Sequence, residues 1–305
     1  MGAPGCGADV SGATAFAGAI AEAIAAATGA PFPASALEPV AGGDTSQAFR
    51  VGDGERRFFV KTCSRERAAM FDAEVGALDA LAGVDAVRVP RPVCTGVASD
   101  RAYLVLDYLD LRARGDAALL GTQLARLHRA PQHQFGWSRD NWIGSTSQPN
   151  GWARDWIAFW RERRLGFQFE RAAQSGYGGA LQREGGALLD RLDALFDGYV
   201  PLPSLLHGDL WGGNHGYIAD GSPVVFDPAS YVGDRECDLA MSELFGGFAP
   251  AFYAAYEEAW PLDPGYAVRK TLYNLYHVLN HANMFGGGYV AQAQRMTAQL
   301  LAEVR

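Results

Sequence analysis

The chain has 305 residues, of which 49% are hydrophobic and 20% charged, and its formal net charge is −8. This composition is typical of a globular protein with room for two sub-domains, and it excludes a disordered chain. The acidic balance argues against a nucleic-acid or membrane partner, because both need a basic face, and no apolar run approaches the roughly 20 residues of a membrane span.

The Ala-rich opening segment predicts an amphipathic helix over residues 13–28. This segment contains Glu22, and no Lys or Arg occurs before Arg50, so it lacks the basic start of a secretory signal. The four cysteines are far apart and form no CxxC pair, which favours neither a zinc site nor a disulfide framework. We therefore expect a cytoplasmic protein.

The first hundred residues alternate short β-like runs with turn residues. A Gly-Asp-Gly turn at residues 52–54 before "RRFFVK" predicts a hairpin, a helix over residues 66–82 follows, and "VRVPRPVCTGVA" and "AYLVLDYL" predict two more strands. The remainder is mainly helical, except for short β segments in "LPSLLHGDLWGGN" and "SPVVFDPAS". We place the domain boundary after Asp107, which gives an N-terminal domain of residues 1–107 and a C-terminal domain of residues 108–305.

Two residues of the N-terminal domain suggest a functional pair. Only two of the 26 basic residues are lysines, and Lys61 closes the apolar run "RFFVK". In so Arg-rich a chain this indicates a need for a compact ammonium group, although a solvated strand-end lysine is the alternative. Glu74 lies four residues from both Met70 and Leu78, so it falls on the apolar stripe of the predicted helix and needs a cationic partner.

The stretch "HGDLWGGN" places Asp209 five residues before Asn214 between glycines, and Asp227 follows the apolar run of "VVFDPAS". Together with Lys61 and Glu74, their order matches the parts needed for kinase-type phosphoryl transfer. Carboxylate and amide oxygens suit magnesium, and a loop carboxylate can accept a proton from a hydroxyl group. The alternative is that the acid caps a turn and the other residues only form a loop.

Other polar residues near these motifs are predicted to serve the structure. His207 is expected to be a hydrogen-bond partner of its own loop, and the acids of "GDRECDLAM" fit the start of a helix, whose dipole they suit. "AGGDTSQAF" is either a phosphate-covering loop or a plain turn, because it is not G-x-G-x-x-G. Packing is the default interpretation for the histidines in helical sequence, which are His128, His277 and His281.

Longer segments resemble a known family. "HGDLWGGN", "FDPASYVGDRECDLAMSELFGGF" and "LYNLYHVLNHANMFGGGY" are similar to the signatures of the fructosamine (ketosamine) kinases, relatives of the aminoglycoside and choline kinases. "FFVK", "MFDAEVGALDALA", "VPRP", "LVLDYL", "LARLH" and "DNWIGSTSQPN" fall in the family's order, so the resemblance covers nearly the whole chain. It implies an α+β, bilobal protein-kinase-like fold with a small β-rich N-lobe and a larger, mainly helical C-lobe.

The resemblance also implies the cofactors, ATP and Mg²⁺, and the site residues. By motif position Asp209 is the proton acceptor, and Lys61 with Glu74 anchors the phosphates. Trp211 is expected to form a wall beside the sugar or, alternatively, to anchor the loop in the core. The remaining implied contacts are Gly42, Gly43, Asp107, Tyr108 and Leu109 for the nucleotide, and Asn214 and Asp227 for the metal. In "LNHANMF", Asn280 or His281 is expected to offer a polar contact to the substrate.

The implied reaction is phosphorylation of a ketosamine, a fructosamine or ribulosamine, at its 3-hydroxyl. The product sheds the sugar, so the expected role is deglycation. Sugar-amines, including glycated amino acids or peptides, are the expected partners; the amine portion is expected to face solvent, and the oligomeric state stays open. Many family members carry a Cys after the two glycines of the phosphate loop, but Asp44 stands here, which puts redox control there in doubt.

Three alternatives remain open from the sequence. A kinase of another hydroxylated amine, such as an aminoglycoside or choline, would share the fold and the ATP chemistry. An inactive kinase-fold binding module would normally lack the base, a metal ligand or the lysine, and none is missing. A metal-dependent hydrolase using Asp209, Asp227 and His207 would leave Lys61 and Glu74 unexplained.

Overall fold

The computed structural model of the chain describes residues 8–33, 36–40 and 46–304. The chain divides into two compact units. Unit 1 contains Met1–Asp79 and Pro90–Asp110, and unit 2 contains Ala80–Val89 and Leu111–Arg305. None of the helices in the described ranges is long and apolar enough to cross a membrane.

Unit 1 is built on a five-stranded antiparallel sheet in the order β1-β2-β3-β5-β4. The predicted hairpin is β2 with β3, and the two later strands are β4 and β5, as the sequence predicts. The bounds are α1 Ala8–Thr28, β1 Glu38–Val40, β2 Gln47–Gly52, β3 Arg57–Ser64, a 3₁₀ turn Arg65–Arg67, α2 Ala68–Val84, β4 Pro92–Ala98 and β5 Arg101–Asp107. The last residues of α2, from Ala80 onward, belong to unit 2.

Helix α1 covers one face of this sheet because its apolar residues recur at helical spacing. Phe16, Ile20 and Ile24 are buried in one cluster with Val60 and Val105 of the two central strands. The predicted helix over residues 66–82 is shifted by two residues, since the chain first makes the 3₁₀ turn before α2 begins. Packing of α1 therefore supports the strand that carries Lys61.

Unit 2 is mainly helical, with three short antiparallel strand pairs, β6 with β7, β8 with β11 and β9 with β10. A π-helical stretch, Arg161–Gly166, joins α4 to α5. The bounds are α3 Ala117–His128, β6 Asn141–Ile143, β7 Thr146–Gln148, α4 Trp156–Trp160, α5 Phe167–Gln174, α6 Ala180–Asp190, a 3₁₀ turn Leu192–Phe196, β8 Pro203–Leu205, β9 His215–Tyr217, β10 Pro223–Val225, β11 Val232–Asp234, α7 Glu236–Leu244, α8 Pro250–Ala259, α9 Tyr266–Phe285 and α10 Gly288–Glu303.

The centre of unit 2 is α9, which is buried along most of its length. The Trp-rich segment supplies much of the packing around it: Trp156 and Trp160 are buried, and the Trp160 ring meets Tyr273 edge to face at 4.9 Å. The indole of Trp156 donates to the Tyr273 hydroxyl at 3.1 Å. Much of this segment is therefore core, whereas Trp152 is exposed.

Candidate active site

In unit 1, Lys61 and Glu74 form the ion pair that the kinase-type order of the motifs predicts. Lys61 lies on β3, between Ala48 of β2 and Leu104 of β5, so its position in the sheet is fixed on both sides. Its Nζ donates to Oε1 of Glu74 on α2 at 2.7 Å, and the two side chains are only 9% and 12% exposed. A buried carboxylate is tolerated because the ammonium group neutralises it.

Other residues of unit 1 were predicted to contact a nucleotide. Asp107 ends β5, where its N–H donates to the Arg91 carbonyl at 3.0 Å and its carboxylate accepts from the Arg91 N–H at 2.6 Å. Tyr108 follows, with the Arg57 guanidinium 4.8 Å from its ring centroid, and Leu109 is half-buried. The predicted phosphate loop, with Gly42, Gly43 and Asp44, lies outside the described residues.

In unit 2, the loop carrying Asp209 runs beside the segment that carries Asp227. The N–H of Phe226 donates to the Asn214 carbonyl at 3.0 Å, and the N–H of Ala229 donates to the His207 carbonyl at 2.9 Å. Within the loop, Asn214 Nδ2 donates to the backbone oxygen of Asp209 at 2.9 Å and to its carboxylate at 3.1 Å. The structure therefore brings together the predicted proton acceptor and the two predicted metal ligands.

His207 has the structural role that the sequence predicts. Its Nε2 lies 2.9 Å from the Phe226 carbonyl, and its Nδ1 lies 3.3 Å from the N–H of Asp209. A carbonyl only accepts and an amide N–H only donates, so the proton sits on Nε2 and the ring is neutral. Burial lowers the pKa of His207, which keeps the ring neutral.

The electrostatics of the loop centre on two neighbouring carboxylates. Burial raises the pKa of Asp209 to about 7; the charges of Asp227 and Asp238 act in the same direction, and the hydrogen bond from Asn214 opposes them. Asp227 has a φ of 57°, in the left-handed region that Asp and Asn adopt more readily than other residues with a side chain. Such a conformation costs about 1 kcal/mol or more and is commonly found at functional sites.

Asp238 anchors the loop, which its interpretation as a helix-start acid misses. The carboxylate, on α7, accepts from the N–H of His207 at 2.7 Å and of Gly208 at 2.8 Å, and from Nε2 of His128 at 3.1 Å. Burial opposes its ionisation, but the hydrogen bond and charge of His128 outweigh it and hold the pKa of Asp238 below its usual value. The helix does begin in this segment, and Asp234 accepts from the N–H of Glu236 at 3.0 Å.

The predicted substrate residues occupy different environments. Trp211 is 38% exposed, with its ring edge to face with Phe245 at 6.1 Å, so it is not a core tryptophan. His281 is half-buried and lies next to the same Phe245 ring at 5.2 Å. Asn280 is buried, and its amide bonds internally to Gln168 and to the backbone of Ile143.

The donor set fits magnesium. Because Nδ2 of Asn214 is committed to Asp209, its Oδ1 points away from that carboxylate, and no described residue donates to it. The Asp227 carboxylate lies near enough to raise the pKa of Asp209. A cluster of three or more His, Cys, Asp or Glu residues able to hold a metal is not found within the described ranges. One amide oxygen and one carboxylate are what magnesium needs when water and phosphate oxygens complete its shell.

Solved structures define the class of protein. A candidate fructosamine-3-kinase of Haemophilus somnus 129PT aligns with a TM-score of 0.85 at 30% identity, over 92% of this chain and 96% of its own. The aminoglycoside phosphotransferase APH(4)-Ia, in a ternary complex with ADP and hygromycin B, aligns with a TM-score of 0.62 at 17% identity, over 93% and 98% of the two chains. The second likeness concerns the fold alone. The α+β, protein-kinase-like fold predicted from the sequence is confirmed.

Sequence relatives narrow this class to one family. The model of the fructosamine kinase family matches residues 16–303. A protein of Synechocystis named probable ketoamine kinase is 45% identical over 92% of this chain and 96% of its own length. The chloroplastic protein-ribulosamine 3-kinase of Arabidopsis thaliana is 40% identical over 83% of this chain and 79% of its own. The chain belongs to the fructosamine kinase family and is a phosphotransferase with an alcohol group as acceptor.

Proposed function

We propose that this protein transfers the γ-phosphoryl group of ATP to the 3-hydroxyl of a ketosamine, either a fructosamine or a ribulosamine. The observation that carries this proposal is the hydrogen-bonded pair of Asp209 and Asn214, held beside Asp227 in a chain of this family. An acceptor for the hydroxyl proton and two hard oxygen donors are the parts that this chemistry needs.

Asp209 acts as the proton acceptor in this proposal. The Asn214 amide donates to one carboxylate oxygen, which fixes the plane of the group and leaves the other oxygen for the substrate hydroxyl. The carboxylate orients that hydroxyl and takes its proton as the new O–P bond forms. Its position is held by backbone hydrogen bonds to Asp238, through His207 and Gly208.

Asn214, through Oδ1, and Asp227 would hold Mg²⁺. The metal supplies positive charge to the phosphate oxygens, on which negative charge is spread during transfer. Asp227 adopts its left-handed backbone conformation two residues after β10 ends, and such conformations are common at functional sites.

Residues of unit 1 bind ATP in this proposal. Lys61 meets the phosphates as a compact charge, and Glu74 keeps its ammonium in place through the 2.7 Å contact. The backbone of Asp107–Leu109 pairs with the adenine, and Gly42 and Gly43 cover the phosphates.

The sugar lies against Trp211, whose exposed indole offers an apolar wall to the carbon face. His281 supplies a polar contact, and Asn280 supports it from the interior rather than touching the sugar, because its amide already has internal partners. The phosphorylated product sheds its sugar, so the role is deglycation of small glycated amines, amino acids or peptides. Cys63, Cys94 and Cys237 are free thiols, which suits a reducing cytoplasm.

A substrate panel tests the proposal. Wild-type protein and Asp209→Asn are assayed with ATP and magnesium on fructosamines, ribulosamines, glycated peptides, an aminoglycoside, choline and free sugars. We expect ADP formation with ketosamines only and its loss in the variant. A specificity constant for the aminoglycoside or choline above that of every ketosamine would overturn the substrate class and leave the kinase chemistry standing. ATP-independent turnover would overturn both.

A further inference from the structure

A row of aromatic rings extends from the Asp209 loop across the surface of unit 2. We call it the aromatic platform; it consists of Trp211, Phe245, His281, Phe285 and Tyr289. Ring centroids lie 6.1 Å apart for Trp211 and Phe245, 5.2 Å for Phe245 and His281, 5.6 Å for His281 and Phe285, and 5.0 Å for His281 and Tyr289. The row is therefore continuous with the proposed sugar site.

The backbone is bent to assemble this row. Phe285 ends α9, and Gly286 and Gly287 follow with φ of 67° and 59°, values that glycine adopts without strain. Helix α10 then starts, so that Tyr289 turns back onto the last turn of α9. Phe245 likewise directly follows α7 and precedes a glycine pair.

Trp211 and the two phenylalanine rings of this row are exposed, whereas His281 and Tyr289 are half-buried. Phe285 is 57% exposed and Phe245 36% exposed, and neither belongs to the main core cluster of unit 2 among the described residues. Single exposed apolar residues are ordinary, but adjoining exposed rings mark a binding surface. Continuity with Trp211 identifies the occupant as a further part of the same substrate.

His281 orients that occupant. Its Nδ1 lies 2.7 Å from the His277 carbonyl, which can only accept, so Nδ1 carries the proton. In the neutral ring Nε2 is then an acceptor, and no described residue donates to it. In a ketosamine one nitrogen links the sugar to the rest of the amine. Its N–H can donate to this acceptor, which lies midway along the row.

We propose that the outer platform, Phe245, Phe285 and Tyr289, binds the amine side of the substrate and favours ketosamines whose amine carries an aromatic or extended apolar group. This inference rests on the proposed function. Ring faces bind flat apolar groups and also attract the substituted ammonium at the junction with the sugar. Because the outer ring is largely exposed, selection is graded rather than absolute.

Three fructosamines that share the same sugar and differ in the amine test the inference. The amine is glycine, the side chain of lysine, or benzylamine. We expect the lowest KM for benzylamine. Phe285→Ala raises that KM about three- to tenfold, the effect of one lost ring contact, and leaves kcat, the KM for ATP and the KM for the glycine compound within about twofold. Phe285→Tyr retains the preference, and Leu202→Ala, an exposed apolar residue outside the platform, changes nothing.

The outcomes separate the two proposals. If wild-type protein phosphorylates no ketosamine, the proposed function fails. If it phosphorylates all three with equal KM, or if Phe285→Ala shifts all three equally, the function stands and the outer platform is not an amine subsite. Light scattering should give the same mass for wild type and Phe285→Ala; a dimer that dissociates in the variant would assign this surface to a second copy of the chain and overturn the inference.

Discussion

The two proposed catalytic regions are held in place in different ways. In unit 1, Lys61 and Glu74 contact each other directly at 2.7 Å, between a strand and a helix. In unit 2, Asp209 is held through the backbone of its loop, whose N–H groups bond to a buried carboxylate, Asp238, that is itself bonded to His128. Charge-preserving variants of unit 1's pair, such as Lys61→Arg, should therefore change activity more than stability, whereas variants of the loop anchor should change both.

The largest loss of turnover is expected for variants of Asp227, which lies beside the Asp209 loop but is separate from the Asp238 anchor. Asp227→Ala should reduce turnover by about four decades or more, because phosphoryl transfer depends on the metal's charge. Asp227→Asn is the matched control for the backbone, since Asn also adopts a positive φ. Asn214→Asp should retain part of the activity, because a carboxylate still binds magnesium. Full activity in excess chelator would contradict the metal assignment.

Asp209→Asn should lower kcat by about two to four decades, the usual contribution of a general base. The free energy of unfolding should not fall, because burial disfavours the ionised Asp209 carboxylate and raises its pKa to about 7. ATP binding, measured by calorimetry, should stay near the wild-type value. Near-normal turnover would show that another group accepts the proton.

Asp238→Ala should lower the free energy of unfolding by about 3 kcal/mol, because it leaves buried backbone donors and His128 without their acceptor. Turnover should fall as well, since the position of Asp209 depends on these bonds. Glu243→Gln, on the same helix but in a half-exposed pair with Lys270, is the control, and we expect a change within about 1 kcal/mol. Urea unfolding measures the free energy of unfolding of both variants. Equal decreases would remove the distinction between the two regions, because Asp238 would then stabilise the protein no more than a half-exposed ion pair.

Lys61→Arg should not restore activity lost in Lys61→Ala, because a planar fork does not replace a point charge at the phosphates. We expect a decrease of about two decades in kcat/KM, with an unfolding free energy within about 1 kcal/mol of wild type, since Arg can still pair with Glu74. An active arginine variant would contradict the role of the lysine. A large decrease in the unfolding free energy would show that the Lys61–Glu74 pair supports stability as the Asp238 anchor does.

The smallest effect is the acid dependence of stability. The pKa of Asp238 is lowered in the folded protein, so its contribution is complete above the unfolded value of about 4 and is lost as the pH falls through the folded value. Asp238→Asn should therefore show a shallower loss of stability below about pH 4 than wild type. Parallel acid unfolding curves would contradict the lowered pKa.

The Lys61–Glu74 pair could be predicted from the sequence in two steps. Glu74 lies on an apolar stripe, where a carboxylate needs a cation, and the kinase-type order of the motifs identified Lys61 as that cation. The loop of Asp209 and Asn214 was equally visible, since its residues are local in sequence. Family motifs then fixed the fold, which spacing alone did not.

The anchor could not be predicted, because its donors are backbone N–H groups about 30 residues away from Asp238. In the structure the residues from Glu236 to Ser242 are all buried, so Asp238 does not lie on a solvated face of α7. Helix-dipole reasoning gave these acids a general role and missed the specific one. The aromatic platform was likewise hidden, since glycine turns join rings from three parts of the chain.

Phosphorus NMR of the reaction tests the proposed chemistry most directly. Wild-type protein is incubated with ATP, magnesium and a fructosamine, beside Asp209→Asn under the same conditions. We predict a phosphate ester on the 3-hydroxyl that forms in step with ADP in the wild-type sample and is absent from the variant sample. Spectra taken from the start of the reaction that show inorganic phosphate but never an ester, or an ester on another hydroxyl, would contradict the proposal that the Asp209 loop directs phosphoryl transfer to that position.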